Sequence, residues 1–371
     1  MINFKKIAIG FGLVSVITLQ GLQANKLKEC QSEADKKTGC VEIEEWQERG
    51  YGLSYGSIET LYKNGKKESI KDYRNGELRS ETLYKYTKEG YTEYYYYGYG
   101  TLLGVTPYKN GKEDGIKKWY HENGKLESET PYKNGKVDGI AKEYYEKGKL
   151  ASETPFKNDK REGIAKVYYE NGNLEREAPF KNGKYDGIVK EYYENGNLWR
   201  EIPFKNGEKE GIEKEYYSNG NLKIETPYKN DKREGIEKLY DESGNLWIEI
   251  PYKNDKAEGI AKVYYENGNL GVETPYQNGK KEGMAKWYYE NGNLASETPH
   301  KNDEAHGNLK YYTEDGKLLA LLKVENGEFI SGKCFNGKAL TDKEIGKINI
   351  NDIEKAIIYL QKICLKESDS K

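Results

Sequence analysis

The sequence is short of almost everything that chemistry needs. Its 371 residues include three histidines, two methionines and four cysteines. His121, His300 and His306 stand apart and no CxxC pair occurs, which argues against a metal site of the usual His/Cys spacing. No nucleophile motif or phosphate-cradling glycine loop is present. Neither sign of charge dominates: 60 basic and 62 acidic side chains leave a net charge of -2, and the two signs are interspersed. That balance removes the electrostatic footprint of a nucleic-acid binder and the polybasic tract of an anionic-lipid binder. With 33% charged residues and a mean hydropathy of -1.00, composition alone reads as disorder. Past the first two dozen residues no apolar run is long enough to cross a bilayer.

Two features overturn the reading of disorder. Aromatics make up 13% of the chain, mainly as 35 tyrosines, whose rings pack while their hydroxyls stay hydrated. Proline occurs only nine times, at Pro107, Pro131, Pro155, Pro179, Pro203, Pro227, Pro251, Pro275 and Pro299, each 24 residues after the last. A fixed period of this length marks a stacked repeat architecture, which grows in one dimension and needs no single large core. One copy, from Pro251 to Thr274, reads PYKNDKAEGIAKVYYENGNLGVET.

Within a copy, Asn267-Gly268 lies between two strand-like runs and predicts a two-residue hairpin turn, with both residues at positive φ. That register sets Glu266 against Asn269, Tyr265 against Leu270, Val263 against Val272 and Lys262 against Glu273. A Lys and a Glu occupy the last two positions in each regular copy, as with Lys118 and Glu129 or Lys190 and Glu201. Opposite charges directly across two strands contribute up to about 1 kcal/mol. Proline cannot donate to a ladder, so pairing should stop at Pro275, leaving strands of ~6 residues. The glycine of Gly259 has a counterpart in every unit from Gly115 to Gly307, which suggests positive φ or a close backbone approach where hairpins join. The expected fold is all-β: an elongated single-layer antiparallel sheet of stacked β-hairpin repeats, with a short C-terminal capping helix. About eleven units at ~4.8 Å per strand would span on the order of 100 Å.

The pattern YYENGNLxxExPYKNGKxxGIxK resembles the bacterial variant of the MORN repeat over about three quarters of the chain, through paired YYENG and PYKNG turns recurring in phase. The resemblance implies a single sheet of hairpins with scaffolding and partner-binding roles. For eukaryotic members it also implies contact with membrane phospholipids. Bacterial variants are often described as antitoxin-like; an export signal departs from that pattern.

Lys5 and Lys6 precede an apolar run from Ile7 to Leu19, followed by Leu22-Gln23-Ala24, so residues 1–24 read as a signal peptide rather than an uncleaved anchor. Export places the chain in the periplasm, on the surface or outside a bacterium. In an oxidising compartment the simplest of the three pairings open to four cysteines is two local disulfides, Cys30 with Cys40 and Cys334 with Cys364. Residues 25–60 read as an N-terminal cap segment and 61–332 as the repeat array. Residues 333–371 read as a C-terminal cap, with a helix spaced Ile353, Ile357, Leu360, Cys364 and started by a capping box from Asn351 to Glu354. This helix would cover the last strand edge, or its apolar stripe would dock a partner.

Acidic residues recur once per unit in one place, which marks them as structural; no cofactor and no small-molecule substrate is expected, and the chain does not read as an enzyme. Residues that break the repeat are the candidates for contact: Trp199 and Trp247 at one unit position, Trp119 and Trp287 at another, and Tyr95 and Tyr97 in the crowded run Tyr94–Tyr97. The plainer account is that they fill gaps between neighbours. Three functions follow: a non-enzymatic scaffold binding a protein or envelope component along its sheet, a carbohydrate or cell-wall binder using aromatic stacking, or an enzyme or immunity protein for an exported toxin.

Overall fold

The computed structural model describes residues 28–50, 52–349 and 352–365. The proposed signal peptide and Asn351 lie outside them. The described residues form two units, one ending at Gly172 and one beginning at Asn173. Both are built from antiparallel hairpins paired in chain order, with fourteen strands in the first and twenty in the second.

One hairpin of the second unit shows the construction. Strands Gly259–Tyr264 and Leu270–Gln277 pair with Lys262 opposite Glu273 and Val263 opposite Val272, as the charge pattern requires. The turn between them differs from expectation. Only Gly268 has positive φ, +81°, and Tyr265 donates its N–H to Asn269 O across a three-residue loop. Tyr264 therefore faces Leu270, and Tyr265 faces Asn269. A three-residue loop shifts the register by one, but the strand is bulged at Leu270-Gly271, and the extra residue restores it.

The two-residue turn lies instead in the connector. Asn278 and Gly279 have φ of 53° and 84°, with Gln277 opposite Lys280, so a type I′ turn joins successive hairpins. Asp255 takes the same conformation at φ 64°, which a short polar side chain tolerates.

Pairing also continues past the proline. Pro275 faces Ile260 and Tyr276 faces Gly259, so the strand is eight residues long. The ladder breaks only toward the following hairpin, between Glu273↔Lys286 and Tyr276↔Lys281, where Pro275 O accepts the Glu282 N–H. Proline is tolerated because its missing donor falls at that interruption. The recurring glycine meets both conditions read from the sequence. Gly187 has φ +125°, and a Cβ there would meet Pro179 Cγ at 2.8 Å.

Three side-chain ladders tie neighbouring hairpins together. On the sheet, Tyr264 donates its hydroxyl to Glu249 of the preceding hairpin at 2.8 Å, and Tyr216 to Glu201 at 3.0 Å. At one margin, Asn269 Nδ2 reaches Glu290 O at 2.7 Å. At the other, the carboxylate of Glu258 accepts the Asn278 N–H at 2.6 Å.

The ends are built differently. Helix α1 (Glu33–Thr38) starts from the Ser32 cap, and residues 28–30 pair in parallel with Val41, held by the Cys30–Cys40 disulfide. At the other end, positions that carry mostly small or polar groups in regular units become apolar at Leu309 and Leu322, and a position that carries Tyr or Phe in most units holds Val324; all three are fully buried. Helices α2 (Asp342–Ile345) and α3 (Ile353–Cys364) enclose them with Ile345, Ile357 and Leu360. Helix α3 thus covers a face of the sheet rather than its edge. The outer edge of the last strand, Glu328–Cys334, is met by the returning chain at Ala339 and Leu340. The capping box closes α2, between Thr341 and Glu344, whereas α3 begins at Asp352, which accepts the Lys355 N–H. The Cys334–Cys364 disulfide staples α3 to the sheet.

Two stability predictions follow from this construction. Gly187→Ala is expected to lower unfolding stability by about 1–3 kcal/mol through strain at positive φ and the clash with the Pro179 ring, measured by denaturant unfolding. Replacing Cys334 and Cys364 by Ser is expected to cost about 3–4 kcal/mol on the entropy of a 30-residue separation. Loss of α3 protection in hydrogen exchange would accompany it.

Candidate binding surface

The two faces of each hairpin differ in how much they vary. One face repeats Ile, Lys, Tyr and Glu almost unchanged. Each Glu lies between two lysines, as Glu129 faces Lys118 in its own hairpin and Lys142 in the next. The Lys118–Glu129 separation is 2.9 Å, and the hydrogen bond from Lys118 holds the Glu129 carboxyl below the usual range. The tyrosines of this row are shifted the other way. Tyr216, Tyr240, Tyr264 and Tyr288 are pushed up to about 12, first by burial of the phenol and then by donation to a glutamate.

The opposite face carries the variation. In the second unit it bears a row in which rings alternate with one another and then with cations. Phe180, Tyr185 and Phe204 pack with tilted rings, their centroids 4.5 and 5.0 Å apart. Farther along, Lys209 sits 4.6 Å over Tyr228, and Arg233 lies 3.9 Å over Tyr252. Beside this row Glu213 is only 5% exposed, held by Arg200 and by Lys209 at 2.6 Å. Two cations around one buried carboxylate satisfy it and fix the local side chains, which is a structural role. The sequence carried a signal for it: Glu213 stands where most other units have Ala, Val or Leu.

Trp199 and Trp247 occupy the bulge position next to the turns, 40% and 52% exposed. Trp199 tilts against Tyr193 at 6.2 Å, and Lys223, between the two tryptophans in sequence, lies 5.6 Å over Tyr217. The bulge position is exposed where nothing packs over it, as at Trp199 and Trp247, and buried where the C-terminal core covers it, as at Leu319. The other pair of candidate tryptophans, Trp119 and Trp287, serves packing. Trp119, in the first unit, stacks on Tyr95 at 5.6 Å over Gly104, where a Cβ would meet the indole at 2.8 Å. Trp287 packs against the C-terminal core.

Tyr95 donates its hydroxyl to Glu93, and its ring is half-buried, whereas Tyr97 stacks on the exposed Tyr99 at 5.2 Å and 7°. Sequence reading did not single out the nearby rings of Tyr84, Tyr86, Tyr91 and Tyr108, of which Tyr91 and Tyr108 stack at 4.7 Å. They come from three different strands, and only pairing brings them together.

The profile of the MORN repeat variant family matches this chain eight consecutive times, at residues 113–134, 137–158, 161–182, 185–206, 209–230, 233–254, 257–278 and 281–302. The chain belongs to that family. Each match covers one MORN-variant hairpin from just after one type I′ turn to the asparagine that opens the next. No curated protein matches the chain closely enough to count as a relative. Among solved structures, a crystal structure of TcdB2-TccC3 is 13% identical over 75% of this chain and 17% of that one, with a TM-score of 0.15. One of TcdB2-TccC3-Cdc42 is 12% identical over 77% and 20%, also at 0.15. This chain spans about a fifth of their length or less.

The shifted tyrosines make the array sensitive to alkali. Their folded-state values lie above the ordinary ~10, so the neutral phenol is favoured by folding. The stability they contribute is complete below pH ~10 and is lost as pH rises toward about 12. The melting temperature is expected to fall steeply across that window. In the same window a subset of tyrosines should form phenolate later than free tyrosine, read by absorbance titration.

Proposed function

We propose that this MORN-variant chain is an exported, non-enzymatic scaffold that binds a protein or another envelope component through the variable aromatic face of its second unit. The observation that carries the reading is the pair Trp199 and Trp247, exposed at the same bulge position two hairpins apart while Trp119 and Trp287 are used in packing. Large exposed aromatics at a fixed spacing are anchors of the kind that dominate binding energy. A ligand with repeating elements would engage both, and avidity rather than one tight pocket would set the affinity. Export is supported by two disulfides, at Cys30–Cys40 and Cys334–Cys364, which persist in oxidising compartments. A carbohydrate ligand is the second reading, favoured by the parallel pair Tyr97 and Tyr99, a stacking platform for a sugar ring.

Binding of the full chain to isolated cell envelopes tests the proposal. Trp199→Ala with Trp247→Ala is expected to weaken binding at least about ten-fold, on the order of 2 kcal/mol per anchor at most, with folding unchanged. Removing one internal 24-residue unit is expected to weaken it in a graded way. No binding to envelopes, or binding indifferent to both tryptophans, would overturn the reading, and specific hits on a glycan array would select the carbohydrate alternative.

A further inference from the structure

The face opposite the aromatic row presents a second surface. In the second unit Ile188, Ile212, Ile236 and Ile260 are each 50–52% exposed, and Met284 continues the line at 39%. They occupy one position per hairpin, so they recur every two strands, ~9.6 Å apart at ~4.8 Å per strand. Each faces a proline across its hairpin, as Ile212 faces Pro227 and Ile236 faces Pro251. The row is therefore apolar along its length. Two residues along each strand runs the charge row, in which a lysine on one strand alternates with a glutamate on the next: Lys214 faces Glu225 and Lys238 faces Glu249. Regular exposure of one large apolar side chain per repeat, unrelieved over five repeats, is unusual for a surface meant to stay in water.

We propose that this face is a self-association surface, on which two copies of the chain pack sheet to sheet. The argument is one of pitch and charge. A partner that meets every isoleucine and every charge must carry apolar groups at ~9.6 Å and charges that change sign at ~4.8 Å. A second copy carries both. A two-fold axis parallel to the strands lays isoleucine row on isoleucine row and charge row on charge row, because position along the strand is preserved while the order of strands is reversed. With the axis between two neighbouring strands, every lysine lands over a glutamate of the other copy and every isoleucine over a proline. The apolar rows then interdigitate. Such a contact is closed and uses one patch twice. Five hairpins extend over ~48 Å, and a band five residues wide covers about 800 Å², the area a specific interface takes from each partner. An anionic lipid surface fits worse, since the face carries a carboxylate for each ammonium. The inference does not depend on the aromatic face binding anything.

Sedimentation equilibrium of the full chain over a range of concentrations tests it. The native chain is expected to be dimeric well below ~100 μM, a threshold equivalent to about 5.5 kcal/mol. Ile212→Lys with Ile236→Lys is expected to be monomeric with an unchanged circular dichroism spectrum. Should that variant fail to fold, Ile212→Thr with Ile236→Thr is expected to raise the dissociation constant by about ten-fold or more. A native chain that stays monomeric to ~100 μM, or a folded variant that dimerises as tightly as the native chain, would overturn the proposal. Dimerisation abolished by Trp199→Ala with Trp247→Ala instead would place the contact on the wrong face and overturn it equally.

Discussion

Each regular hairpin of the second unit carries one residue without a cross-strand partner, Gly271 in the unit that begins at Ala257, and the two faces of the sheet depend on it. The turn beside it has three residues, which by itself would set Lys262 against a neighbour of Glu273 and move every side chain to the wrong face. The bulge cancels that slip. Lys262 then meets Glu273, and Tyr264 comes within 2.8 Å of Glu249. The separation of a constant face from a variable one follows from this register. So does the position of Trp199 and Trp247, which stand where the bulge places them.

The sheet has little apolar interior, and what replaces it is repetition of modest polar links. Tyr-to-Glu bonds, asparagine side chains reaching turn carbonyls and carboxylates receiving connector N–H groups each join one hairpin to the next. Any one of them is worth only about 1 kcal/mol. Their strength lies in number and in the fact that each connects only neighbours, so the array resembles a one-dimensional chain of coupled units. Among the described residues, a hydrophobic core of ordinary kind appears only at the C-terminal end, around Leu309, Tyr311 and Leu360, and there the helix is stapled by Cys334–Cys364.

Much of this was legible in the residues. The prolines announced the period, the recurring Lys and Glu announced the pairing, and the four cysteines and the spacing Ile353, Ile357, Leu360 announced the ends. The turn types were not legible. Asn-Gly occurs in both turns, and the same dipeptide takes positive φ at both residues in Asn278-Gly279 but only at glycine in Asn267-Gly268. A bulged strand flanks both forms, at Leu270-Gly271 beside one and at Arg79 beside Asn75-Gly76, so the dipeptide alone does not set the turn. The proline was misread for a related reason: its missing donor ends a ladder only on the side it faces, and the side is set by register.

Local covalent chemistry and pattern determined that this chain is an array of hairpins of the MORN-variant type, because period, turn residues and charge pairs act between groups close in sequence. The tertiary structure alone decided which tryptophans are exposed, which carboxylate is buried and which face helix α3 covers. Trp199 and Trp287 differ little as residues in a strand. One stands at a bulge and stays in water, whereas the other lies against the core built by the last strands and α3. Exposure is a property of what packs alongside, and at Trp287 that includes the last strands and helix α3, which are distant in sequence.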